Sequence, residues 1–123
     1  MLVLFWTKIR RTKFSIYDQL RMDELLQILP CDIHITYDRD KMSVADVVAF
    51  NLPFLYRELE GDLEKPEHQI WVAWSYESEV NYPWMFSDEL KDIFDLWMTY
   101  HLDSDIVLPY RLTKRMRRRL SFC

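Results

Sequence analysis

The chain predicts an α/β domain built on a mostly parallel sheet, and three features of its 123 residues carry that expectation. Short β-branched or aromatic runs alternate with stretches of helical periodicity, which is the pattern of βαβ units. The runs at 45–50 and 70–74 are nearly unbroken in apolar character, as strands covered on both faces must be. Half of the residues are hydrophobic and 15% are aromatic, enough to pack one core in a single domain of this length.

The elements follow in order. Residues 2–6, Leu-Val-Leu-Phe-Trp, read as the first strand, and the basic stretch 8–13 as an exposed loop. Ser15 and Asp18 resemble a capping box, after which Met22, Leu25, Leu26 and Leu29 recur at helical spacing until Pro30 stops the helix. Residues 32–37 alternate as a strand with Ile33 and Ile35 on one face, and 38–41 form a charged turn. A strand at 45–50 leads into a helix over 52–63, striped by Leu52, Leu55, Tyr56, Leu59 and Leu63. A polar loop, 64–68, precedes the strand 70–74. Leu90, Ile93, Phe94 and Trp97 then stripe another helix, followed by a fifth strand near 98–100 and an apolar run at 106–108 that meets Pro109. The crossovers between parallel strands are expected to be right-handed.

Composition removes several function classes. Gly61 is the only glycine, so neither a dinucleotide fingerprint nor a phosphate-cradling P-loop can be written, and no cofactor is expected. Cys31 and Cys123 offer no disulfide framework, and His34, His68 and His101 have no ligand-like spacing, so no metal is expected either. Residues 111–123 hold six basic residues and no acidic one. Ten basic and twenty acidic residues remain elsewhere, a net charge of about −10. An acidic body with a basic tail argues against nucleic-acid binding; the tail reads as a solvated helix or the start of a linker. No apolar run approaches the roughly 18 residues of a membrane span, and residues 1–6 are too short for a signal-peptide core. The chain as written is therefore expected in the cytoplasm.

Glu77 leads the residues suited to chemistry. It stands just past the carboxyl end of the strand 70–74, where open α/β sheets place their ligands. Trp74 and Tyr76, close before it, would desolvate it in part and make it a better base. Glu79 is its nearest competitor. Asp103 and Asp105 flank Ser104 and suit either a cation or sugar hydroxyls, although an Asx turn or a cap is the preferred reading. Among the aromatics, Trp71 and Trp74 sit in a core-like strand. Tyr82 and Trp84, in a polar loop, are the better placed to stack on a sugar.

Five segments in register resemble the N-terminal domain of the α-1,3/1,4-fucosyltransferases, glycosyltransferase family 10. They are Leu4-Phe5-Trp6-Thr7; Ile35-Thr36-Tyr37-Asp38-Arg39; Ala45-Asp46-Val47-Val48; Trp71 with Glu77-Ser78; and Phe94 with Met98-Thr99-Tyr100-His101, Asp103-Ser104-Asp105 and Pro109-Tyr110. The resemblance implies a Rossmann-like three-layer domain, one half of the GT-B arrangement, over 1–110, with 111–123 as a tail or linker. It implies that this half receives the acceptor glycan and that a separate C-terminal domain binds GDP-fucose. The general base of the family falls on Glu77, and Ser78, Tyr100, Asp103 and Asp105 fall on its motifs as substrate-binding positions.

Three positions depart from the pattern: Glu79 stands for the proline after Glu-Ser, His101 for the arginine after the tyrosine, and Arg111 for the glycine after Pro-Tyr. No donor-binding half is visible. The expected function is the acceptor side of an inverting fucosyltransferase, truncated or partial and silent alone. The family implies a Golgi membrane setting if the chain is a fragment of a eukaryotic homologue. The alternative is a non-catalytic module that binds a glycan or a protein; a generic small-molecule enzyme is disfavoured by the missing cofactor loop.

Overall fold

The computed structural model describes residues 1–7, 27, 31–58 and 64–108. Among these residues six strands form one sheet in the order β2-β1-β3-β4-β5-β6, and every pairing is parallel. The strands are β1 (Leu2–Phe5), β2 (His34–Thr36), β3 (Val47–Asn51), β4 (Ile70–Trp74), β5 (Leu96–Thr99) and β6 (Ile106–Val107). Helix α1 (Leu52–Glu58) follows β3 directly, and the single-turn α2 (Asp88–Lys91) lies before β5. Two 3₁₀ turns, Arg39–Val44 and Pro83–Phe86, complete the described elements. This is an α/β fold with a Rossmann-like parallel sheet. The helix expected over 15–29 (apart from residue 27, which is helical), the loop 8–13, the end of the 52–63 helix and the basic tail lie outside the described residues.

Register decides which side chains share a face. Leu4 pairs with Val48 and Val48 with Trp71, while Phe50 pairs with Ala73 and Ala73 with Trp97. All of these lie on one face, where Leu52 and Leu55 of α1, Met85 and Phe94 close over them to form the core. Phe50 is at the centre, fully buried, with its ring 4.9 Å from that of Trp71, 5.6 Å from Phe94 and 6.2 Å from Trp6. Tilted aromatic contacts of this kind add to the burial of a large apolar area.

The amino edge of the sheet is closed by carboxylates. A backbone N–H near the start of a strand needs an acceptor, and here aspartates supply one for the first or second residue of three strands. Asp46, one residue ahead of β3, accepts the N–H of Leu2 at 2.6 Å. Asp95, ahead of β5, accepts that of Trp71 at 2.7 Å, and Asp105, ahead of β6, accepts that of Trp97 at 2.8 Å. Gln69, ahead of β4 and buried, donates to Met42 O and Ala45 O and accepts the indole N–H of Trp71 at 2.7 Å.

Two local expectations are corrected. Trp97 belongs to β5 and not to a helix, and α2 ends at Lys91. Asp95 explains why: its N–H donates to Trp71 O while its carboxylate takes the N–H of Trp71, so the chain is pulled into the ladder two residues before Trp97. Long-range pairing of β-formers outweighs the local helical stripe. The charged turn at 38–41 is the start of a 3₁₀ turn that Asp38 caps through the N–H of Asp40.

Burial works against the charged Asp95, but the Lys65 ammonium at 2.5 Å and the Trp71 N–H outweigh it and hold the carboxyl below its usual range. Asp95→Ala should destabilise the domain by about 1–3 kcal/mol, because a partly buried N–H is left without a partner. Asp95→Asn should cost less, since its side-chain carbonyl still accepts. A folded pKa held low gives stability that is present above the unfolded value and lost as pH falls through the folded one. Urea denaturation should therefore show the gap between wild type and Asp95→Ala at neutral pH, narrowing in acid. Equal midpoints at neutral pH would remove the latch.

Candidate functional site

Apart from Gln69, the buried polar residues among those described stand at the carboxyl ends of strands: Thr7 after β1, Asn51 at the end of β3, Ser75 after β4 and Thr99 at the end of β5. Hydroxyls at strand ends can accept the N–H two residues on and so form a tight turn. Ser75 Oγ accepts the Glu77 N–H at 2.9 Å, and Thr99 Oγ1 accepts the His101 N–H at 3.2 Å. Thr99 Oγ1 also bonds Ser104 Oγ. The same device on adjacent strands thus presents an acid, Glu77, and an imidazole, His101, from neighbouring loops.

Glu77 is exposed, not partly desolvated as its aromatic flanks suggest. Trp74 turns inward and is only 8% exposed, while the half-open Tyr76 ring meets it edge-on at 6.2 Å. Ser78 is a turn-former whose Oγ accepts the Val80 N–H at 3.1 Å and whose carbonyl accepts from Asn81 and Tyr82. Tyr82 and Trp84 lean on the core, with their rings in a T-shaped contact at 6.5 Å. Asp105 is engaged by the Trp97 N–H of the neighbouring strand and not by the segment that follows it, while Asp103 is exposed.

The residue that ties the two loops together is Glu79. Its carboxylate accepts the Tyr100 hydroxyl at 2.6 Å and lies 3.2 Å from His101 Nε2. Tyr100 and His101 stack at 4.3 Å, and the edge of Phe86 meets His101 at 5.6 Å. Phe86 in turn stacks on Trp97 at 5.5 Å. Phe86 and Trp97 form one wall of a crevice of about 620 Å³ at the β5–β6 margin. Glu79, Lys91, His101, Asp103, Ser104 and Asp105 supply its polar lining, with Pro83 beside Phe86. Glu77 is not among the described residues that line it.

Order reverses at β1, whose neighbours are β2 and β3, and such a switch point is where open sheets hold ligands. The Arg39 guanidinium lies 4.5 Å from the centre of the Trp6 ring, and its Nε donates to Trp6 O. Trp6 Nε1, Asn51 Oδ1 and Trp74 Nε1 are buried without a hydrogen-bond partner at the ends of β1, β3 and β4. Polar groups left so are ones that water or a ligand hydroxyl satisfies. Among the described residues no group of three or more His, Cys, Asp or Glu side chains could hold a metal ion. None of their helices is long and apolar enough to cross a membrane.

Sequence reading placed Glu77 and Asp105 at strand ends but missed Phe86, Lys91 and Trp97, and it treated His101 only as a departure. The repeated spacing Ser75-x-Glu77 and Thr99-x-His101 was the available signal, since each hydroxyl precedes its carboxylate or imidazole by two positions.

A family model described as "Fucosyltransferase, N-terminal" matches residues 1–111. Comparison with curated proteins found no match. The chain belongs to the fucosyltransferase N-terminal family, and its place is that of a glycosyltransferase domain.

The Tyr100 hydroxyl, with the Glu79 N–H and His101, holds the Glu79 carboxyl below its ordinary value of 4.5. With the folded pKa lowered, the link to Tyr100 and His101 is complete above that value and lost as pH falls through the depressed one. Amide NMR shifts of His101 and Ser104 should move together in acid, below the ordinary glutamate range, and Glu79→Gln should abolish that step. A step at the ordinary value would show that the link is absent in solution.

Proposed function

We propose that this chain supplies the acceptor side of an inverting fucosyltransferase, which moves fucose from GDP-fucose to a glycan hydroxyl. The observation that carries the reading is Glu77, held open to solvent at the carboxyl end of β4 in a chain of this family. The attacking hydroxyl gives its proton to the Glu77 carboxylate as its oxygen bonds to the anomeric carbon. The bond from that carbon to the phosphate oxygen breaks on the opposite face, and its electron pair leaves with GDP. One carboxylate suffices for this single displacement. Ser78, Tyr100 and Asp103 are the further substrate contacts proposed, with Tyr82 and Trp84 as aromatic surfaces for the glycan.

The diphosphate and guanosine fall to a donor-binding domain, since a chain with one glycine offers no loop that lets backbone N–H groups close on a phosphate. The resident chemistry needs no cofactor. A second reading, a glycan-binding module without catalysis, is favoured by one observation: the described lining of the crevice omits Glu77.

The test joins this chain to the donor-binding domain of a family member and follows fucose transfer from GDP-fucose to N-acetyllactosamine. Glu77→Gln should lower kcat by about 10²–10⁴-fold with little change in KM for the acceptor. Turnover undiminished in the mutant would remove Glu77 from the base role. Acceptor binding without any transfer by the parent would favour the module.

A further inference from the structure

The crevice beside Trp97 has the shape and chemistry of a sugar site in its own right. Its volume, about 620 Å³, falls within the range of small-molecule sites and leaves room for more than one pyranose ring. Trp97 and Phe86, both half-buried and stacked, offer a flat apolar wall of the kind that takes the C–H face of a pyranose. Opposite polar groups line the rest. Glu79 and Asp103 are carboxylates open to hydroxyl donors, whereas Asp105 already accepts from Trp97. Lys91, the lining ammonium, is paired with Asp88 at 2.8 Å. His101 is drawn toward Glu79.

Three carboxylates against one paired ammonium and one imidazole make the described lining acidic. An acidic wall accepts hydroxyl donors and repels a carboxylate on the ligand. We infer that this crevice is a subsite for an uncharged sugar unit of the acceptor, next to the unit that takes fucose, and that Glu79 and Asp103 set its selectivity against acidic sugars. The inference rests on the acceptor-side reading above and adds to it a ligand class and two specificity residues. Glu79 has a double part. One of its oxygens fixes Tyr100 and His101, so the carboxylate is held at the rim instead of turning away into solvent.

The chain as it stands can be tested by calorimetry at neutral pH, with N-acetyllactosamine and its analogue oxidised to the uronic acid at the galactose C6 as probes. The neutral disaccharide should bind about fivefold or more tightly than the acid, the ratio expected of one unit charge a few Å away in a wet site. Added salt should shrink that ratio. Glu79→Gln and Asp103→Asn, each checked for fold by circular dichroism, should each bring the two affinities closer together while the neutral sugar still binds. Equal affinities in the parent would overturn the subsite. So would a ratio that neither variant changes, or no binding of either sugar by the folded chain. A lost subsite with Glu77 still required for turnover in the joined enzyme would leave the acceptor-side reading standing; the converse result would sink that reading and spare the subsite.

Discussion

Near the amino ends of its strands this parallel sheet engages backbone N–H groups with an aspartate set one residue ahead of the neighbouring strand. Asp46, Asp95 and Asp105 bridge β3 to β1, β5 to β4 and β6 to β5. An N–H bonded to a carboxylate is charge-assisted and stronger than the neutral ladder bonds beside it. Each bridge also fixes register, because a slip by one residue would move the carboxylate away from its N–H and turn the core face outward. The aromatic core around Phe50 depends on that register, since its contacts with Trp71, Phe94 and Trp6 come from different elements.

With the amino edge engaged in this way, the carboxyl edge is left for chemistry. There the buried polar groups among the described residues are three hydroxyls and the Asn51 amide, and two of the hydroxyls shape loops. Ser75 and Thr99 stand at the ends of adjacent strands and bend the chain so that Glu77 and His101 emerge two residues later. The carboxylate Glu79 then crosses from one loop to the other. A rigid sheet thus carries titratable groups on short, hydrogen-bonded turns, which is a better platform than a long free loop.

How much of this the residues disclose depends on the range of the forces involved. The strands at 70–74 and 45–50 were legible because burial on both faces demands continuous apolar side chains. Glu77 was legible because its position after such a strand has a geometric meaning. The β5 strand was not, because Leu90, Ile93, Phe94 and Trp97 keep helical spacing and only the distant Trp71 backbone reveals what Asp95 does. The crevice was hidden for the same reason. Phe86 and Trp97 lie 11 positions apart in sequence, and nothing local announces that they stack. Asp105 is a further case, since a carboxylate just before an apolar run reads as a cap of that run, yet it accepts the N–H of Trp97 in the neighbouring strand.

The two departures Glu79 and His101 stand on separate loops, and the fold brings them within 3.2 Å. A proline at 79 would have no carboxylate for the Tyr100 hydroxyl, and an arginine at 101 would set a permanent cation where an imidazole now stands. With a proline at 79, the Tyr100 hydroxyl and the His101 imidazole would both lose the acceptor they share. Together Glu79 and His101 form a hydrogen-bonded unit with Tyr100 at the rim of the crevice. The departures therefore belong to one local solution: a shared carboxylate ties the β4 and β5 loops together, and it leaves the wall beside Trp97 acidic.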